Sequence, residues 1–376
     1  MSRNRYDVVT LFDVFCVVGQ GDGGEKTILK KYPEDFNDST SLRNVVLFSF
    51  PFNSSNEEEA VQLFTFVLTN EKSQYTYGYC RYTPAGVLES LLTHAYHVPI
   101  PAPRETLIIE SGFGVNLVVP DSNRLPTLRD NKQLLELYSA MNVDQLIALY
   151  ASLLHERRII FTGSKLGQLT SCTSAATMLL YPMQWQNCYA PLLPEHMKSY
   201  LQAPIPFLFG VPRKIYQVDD NLSKAVVIDL QKHTFVSPYD DVHALPSEVV
   251  NGLRHQLLSS ADMFLSDRFA RSFLRANVYL FGNYRAGLKY SPVCSWDKDQ
   301  FIQQQRSSLK IFLESLLGKE GAQYLERFLE ERVEAINAGE IIHDEFEKEI
   351  MLMDKNFFRS SLVIFNFLTL FHLEAL

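Results

Sequence analysis

Residues 149–170 read LYASLLHERRIIFTGSKLGQLT, and residues 175–211 continue AATMLLYPMQWQNCYAPLLPEHMKSYLQAPIPFLFGV. This stretch decides the fold. It begins at the end of an apolar pattern with helical spacing: Leu134, Leu137, Tyr138 and Met141, then Leu146, Leu149, Tyr150 and Leu153. That pattern predicts two helices across Asn131–Arg157. Ile159-Ile160-Phe161-Thr162 is short and apolar throughout, which predicts a buried strand. Leu166–Leu180 predicts a helix with small residues on one side, ended by Pro182. Tyr189–Leu193 predicts another strand, Pro194 opens a helix, and Ala225–Leu230 predicts one more buried strand. Strand and helix alternate, so the middle of the chain is an α/β layer.

Upstream of this core the sequence predicts strands at Tyr6–Val18, Val45–Phe50 (stopped by Pro51), Val61–Thr69 and Tyr75–Tyr82. Asn70–Gln74 joins the last two as a hairpin loop. Pro84–Tyr96 has room only for a brief helix. Val98–Pro103 holds alternate prolines, each fixing its own φ and restricting the residue before it, and so reads as a stiff linker. Short strands follow at Thr106–Ile109 and Val115–Val119. From Ser247 onward the pattern is helical, over Phe264–Tyr284, Lys298–Leu317 and Gly321–Ala338. The expected organisation is an N-terminal lobe over residues 1–97, a linker with short strands over 98–130, an α/β core over 131–220, a mostly helical part over 221–350 and an apolar tail over 351–376.

The chain has 376 residues and a formal net charge of −8, with an ordinary globular share of hydrophobic residues at 46%. An acidic balance argues against a nucleic-acid binder, which needs a basic face. Cys16, Cys80, Cys172, Cys188 and Cys294 lie far apart with no C-x-x-C pair, so neither a disulfide framework nor a structural zinc site is expected. The first residues have no apolar run of signal-peptide type, which points to a reducing, cytosolic setting. Leu362–Leu373 is too short, and too interrupted by Asn366, Thr369 and His372, for a membrane anchor.

Motifs for chemistry fail one by one. Gly19–Thr27 suggests a phosphate loop, but Glu25 stands where the motif needs lysine, and Tyr32-Pro33 leaves no room for the following helix. A hairpin turn is the better reading. His94 and His97 are three apart without a third ligand, so no metal site is expected. No G-x-S-x-G surrounds any serine, no carboxylate pair forms an acid/base dyad, and Asp240-Asp241 reads as a turn. No cofactor and no covalent chemistry are expected. Such a chain is an interaction or regulatory protein.

Four motifs then carry a resemblance. Leu153–Ile160 (LLHERRII), Leu179–Gln186 (LLYPMQWQ), Pro191–Pro194 (PLLP) and Ala203–Gly210 (APIPFLFG) stand in order and at close to family spacing. Together they resemble the central block of the DENN domain. Tyr32–Phe36, Phe50–Phe52 and Phe64–Thr69 resemble the upstream part in the connecdenn subfamily. Ala225–Leu230, Leu245-Pro246 and Phe281–Arg285 resemble the downstream part. The likeness runs from about Tyr6 to about Ile350.

The resemblance implies a longin-like N-terminal lobe joined to a larger α/β C-terminal lobe. It implies a guanine-nucleotide exchange factor for a Rab GTPase of endocytic and recycling traffic, with the Rab lying across both lobes. It further implies a cytoplasmic protein, peripheral on clathrin-coated vesicles or early and recycling endosomes, in contact with phosphoinositide-containing membranes. The chain departs from the family where only Thr83–His97 bridges a strand and a long helix, so the N-terminal lobe reads as shortened. It departs again in residues 356–376, and the clathrin- and adaptor-binding tail of longer relatives is absent. The shortened lobe leaves a second reading, an exchange-inactive adaptor with the same fold. The residues expected to meet a Rab are Phe52, Asn53, Glu156, Arg157, Trp185, Gln186, Pro204 and Pro206.

Overall fold

The computed structural model describes residues 3, 5, 8–21, 24–52, 62–82, 95–109, 115–119, 121, 124–217, 222, 224–259, 262–290, 293–318 and 321–353. Asn53, His94 and the tail 356–376 lie outside them.

The glycine run is a hairpin turn, as its sequence predicts. Strands β1 (Phe15–Gln20) and β2 (Lys26–Tyr32) pair antiparallel around it, and Gly24 sits at φ +81°. The strand expected at Tyr6–Val18 begins only at Phe15, and β2 was not foreseen. Val45–Phe50 is not a strand but the end of helix α1 (Ser39–Ser49). Asp38 caps that helix by accepting from the N–H groups of Thr40 and Ser41. β3 (Leu63–Thr69) and β4 (Tyr75–Arg81) form the expected hairpin. β5 (Thr106–Ile109) and β6 (Val115–Val118) form another.

The C-terminal lobe opens with α2 (Lys132–Ala140) and α3 (Val143–Leu154), split by a capping box between Asn142 and Gln145. Then come β7 (Arg158–Gly163), α4 (Leu166–Met178), β8 (Cys188–Ala190), a 3-10 segment (Glu195–Gln202), β9 (Phe207–Pro212), β10 (Val226–Asp229) and β11 (Thr234–Val236). These strands make one five-stranded sheet in the order β11-β10-β7-β9-β8, parallel except at β10–β11. Parallel strands covered on both faces read as continuous apolar runs, and every residue of β9 is buried. The proline-stiffened loop expected here therefore ends at Pro206, and Phe207 already belongs to the sheet.

The remaining elements are helical, as expected, except for one short strand pair that was not foreseen. They are α5 (Asp241–Ala244), α6 (Ser247–Leu258), α7 (Arg268–Phe281), a 3-10 turn (Gly282–Gly287), the short pair β12 (Leu288–Lys289) and β13 (Ser295–Trp296), then α8 (Lys298–Gln303), α9 (Ser307–Leu317) and α10 (Gln323–Asn337). The single helix expected over Lys298–Leu317 is thus two, because the backbone extends at Arg306. A last helical segment, 345–353, docks on α7. Arg271 bonds Asp267, Glu345 and Glu349, Arg275 bonds Glu349, and Arg285 bonds Glu347.

One apolar core runs through both lobes. Phe48, Phe64 and Phe66 from the N-terminal side belong to the same buried cluster as Leu149, Leu169 and Phe273. The small side of α4 makes this possible. The Leu63 carbonyl sits where a side chain at Gly167 would stand, and the Thr65 N–H donates to Thr170 Oγ1 at 3.3 Å. The β1–β2 hairpin contributes no buried residue.

Candidate partner-binding surface

The lobes meet where α1 runs out into Phe50-Pro51-Phe52. The Glu195 N–H donates to the Pro51 carbonyl at 2.7 Å, tying the 3-10 segment to the end of α1. Phe48 stacks on Phe66 at 5.3 Å and turns an edge to His196 at 6.2 Å. Lys26 Nζ lies 4.5 Å from the Phe50 ring centre, and Lys214 Nζ lies 4.9 Å from that of Phe52. Phe52 is half-buried and packs on the cores of both sheet faces. Burial and the charge of Arg43 push the His196 imidazole down. The same connection carries exposed Tyr200, Pro204 and Ile205, with Ile205 50% exposed between its two prolines. The result is an aromatic junction of Phe48, Phe50 and Phe52 with Lys26 and Lys214 beside it, reached from both lobes.

Of the expected contact residues, Phe52 lies at this junction, whereas Pro204 and the half-buried Pro206 lie beyond the far end of the 3-10 segment, where Arg158 donates to the Ala203 carbonyl at 3.5 Å. The others lie elsewhere and have partners within the fold. Trp185 is 3% exposed, and its Nε1 donates to the Cys188 carbonyl at 3.2 Å, so the expectation that it meets a partner is corrected to a core role. Arg157 bonds the buried Asp241 at 2.8 Å and stacks 3.9 Å from the Tyr239 ring centre. Glu156 sits at φ +48° and accepts from Asn187 Nδ2 at 2.8 Å, while burial pushes its carboxyl up. The Gln186 carbonyl accepts from Arg3, and its amide donates to the Gln184 carbonyl at 3.0 Å. Sequence reasoning missed Tyr200, Ile205, His196 and Lys214. Only Ile205, an aliphatic side chain between prolines, carried a signal.

Among the described residues no group of His, Cys, Asp and Glu could hold a metal, and no helix is long and apolar enough to cross a membrane. Burial pushes the Cys80 thiol up to about 11, away from nucleophilic use.

The architecture is that of a two-lobed α/β domain with its lobes fused through one core. A profile of the DENN (AEX-3) domain matches residues 57–233, and one of the uDENN domain matches residues 26–83. The chain belongs to the DENN domain family. It is 35% identical over 393 residues to mouse DENN domain-containing protein 1B, covering 93% of this chain and 50% of the relative. It is 31% identical over 395 residues to human DENN domain-containing protein 1A, covering 93% of this chain and 38% of the relative. The chain thus spans half or less of the length of these relatives. Both alignments exceed the 376 residues of this chain, so each relative carries residues with no counterpart here.

Proposed function

We propose that this chain is a guanine-nucleotide exchange factor for a Rab GTPase of endocytic and recycling membrane traffic. The observation that carries the proposal is the place where the matched domains meet. The uDENN match contains Phe50–Phe52 and the DENN match contains Glu195–Lys214, and the two segments touch where Glu195 bonds the Pro51 carbonyl and Lys214 lies over Phe52.

An exchange factor needs no general base. It binds the nucleotide-free GTPase more tightly than the loaded form, and by reciprocity it lowers nucleotide affinity by the same factor. Such a surface uses apolar anchors with a charged rim. Phe52, Tyr200 and Ile205 supply the anchors, and Arg43, Lys198 and Lys214 the rim. Action at clathrin-coated vesicles or endosomes, with contact to phosphoinositide membranes, belongs to the same proposal.

The test is nucleotide release from a panel of purified Rabs. At least one should release faster with the chain present. Tyr200→Ala and Ile205→Ala, at exposed positions, should each slow that release about tenfold, the effect of losing an interface anchor, with the melting temperature held. No acceleration of any Rab sinks the exchange reading. The second reading, an exchange-inactive adaptor, is favoured by the residues that the relatives have and this chain lacks. It predicts Rab binding without release.

A further inference from the structure

Strand β4 has one edge paired and one edge open. On its paired side it keeps unbroken register with β3, from Leu63 opposite Arg81 to Thr69 opposite Tyr75. The Tyr82 N–H donates to the Gln62 carbonyl at 2.9 Å and the Asn70 N–H to the Gln74 carbonyl at 3.0 Å. Even-numbered residues therefore bond toward β3, and odd-numbered ones present N–H and C=O groups outward. The outward Tyr75 N–H is held by the Arg3 carbonyl at 2.9 Å. Beyond it, among the described residues, no strand pairs with Tyr77, Tyr79 and Arg81. Their side chains lie on one face of the strand, with Tyr77 66% and Tyr79 70% exposed.

Sheet edges are ordinarily guarded by lysines, bulges or shortness. The other edges of this molecule follow that rule. β2 carries Lys26, Lys30 and Lys31, and its register with β1 shifts at Val17/Val18. β8 and β11, at the two margins of the central sheet, are three residues each. β4 is seven residues long without proline, and Arg81 at its end is its one charged residue.

We propose that this open edge pairs with the same edge of a second copy of the chain, antiparallel about a two-fold axis at Tyr79. The sequence is self-complementary in that register. Tyr79 faces Tyr79 of the second copy, and Arg81 faces Tyr77 on either side of the axis. Aromatic pairs and a cation against an aromatic ring are favourable cross-strand neighbours. No like charges stand opposite one another. The axis falls at Tyr79 because pairing about Tyr77 would claim the Tyr75 N–H that Arg3 already holds. Glu71 and Lys72, at the hairpin tip, lie outside the paired stretch. A two-fold contact closes on itself, so the product is a dimer rather than a fibre, and so short a contact makes a weak one.

Sedimentation equilibrium of the full chain over a range of concentrations tests this, with benzoylphenylalanine in place of Tyr79 to map the contact. A reversible monomer–dimer equilibrium is expected, with photo-adducts between copies falling within Tyr75–Tyr82. Tyr79→Pro removes an outward N–H without touching the β3 ladder, and should abolish the dimer at an unchanged melting temperature. Tyr77→Arg changes only an exposed side chain, and serves should the proline variant fail to fold. It sets a cation opposite Arg81 of the second copy at both ends and should weaken association about tenfold. Monomer alone up to about 1 mM, a dimer that withstands both substitutions, or adducts outside Tyr75–Tyr82 would overturn the proposal.

Discussion

Arg157 lies next to Glu156 at the end of a helix, where sequence alone offers it as a contact residue. Its guanidinium pairs with Asp241, which is 5% exposed, and lies over the Tyr239 ring. Removing one partner of a buried pair strands the other charge. Because Arg157 itself is 31% exposed, Arg157→Ala should cost the low end of the usual ~3–5 kcal/mol, read as a fall in thermal stability. Exchange by the surviving folded protein should be unchanged. Asp240 is exposed and hydrogen-bonded to His243, and Glu156 is an internal partner of Asn187. Alanine at either should slow nucleotide release less than tenfold, about 1.4 kcal/mol. A thousandfold loss at one, with the fold intact, would reveal acid/base work that a docking mechanism has no place for.

Elements show which parts of the sequence could be read. Periodicity found α2, α3 and α4 and the strands β7, β8 and β10. It failed at α1, where Val45–Phe50 is apolar enough for a strand and the deciding group is the Asp38 cap, seven residues upstream. It failed also at β9, where two prolines mark a loop but the residues after them complete a parallel sheet. The junction was half legible. Phe52 stood out as a residue, while the cation beside it, Lys214, comes from a distant segment that only folding brings near.

The segment 345–353 offers a measurement at this scale. Burial pushes the Glu345 carboxyl up, but hydrogen bonds from Lys348 and Arg271 outweigh it and hold the group below the ordinary carboxylate range. A carboxyl depressed in the folded state adds stability above its unfolded pKa, about 4.3, and that stability is lost as pH falls through the folded value. Stability should therefore decline below about pH 4.3, and Glu345→Gln should remove part of that decline while lowering stability at neutral pH. An unchanged acid limb in the variant's melting curves would assign the acid sensitivity to other groups.

Over the whole molecule the N-terminal lobe does not behave as one unit. The β3–β4 hairpin is fixed to α4 and shares its core, whereas the β1–β2 hairpin has only partly buried and exposed residues. Regions with few buried contacts open first. Limited proteolysis should cut within residues 15–32 before it touches 63–81, and the trimmed product should keep its C-terminal lobe. First cleavage inside 131–211 would contradict this order. The same asymmetry gives exchange assays a control. If loss of β1–β2 leaves Rab binding intact, the docking surface depends on α1 and the 3-10 segment alone.

The core that passes from Phe48 and Phe66 into the C-terminal lobe has a kinetic consequence. Two bodies that share their interior cannot swing about a hinge without tearing apolar packing, so the platform is set before its partner arrives. Little entropy is then lost on this side of the encounter. Under the proposed exchange function, the reshaping that separates an empty GTPase from a loaded one falls on the GTPase itself, and this chain is the rigid template against which that change is made.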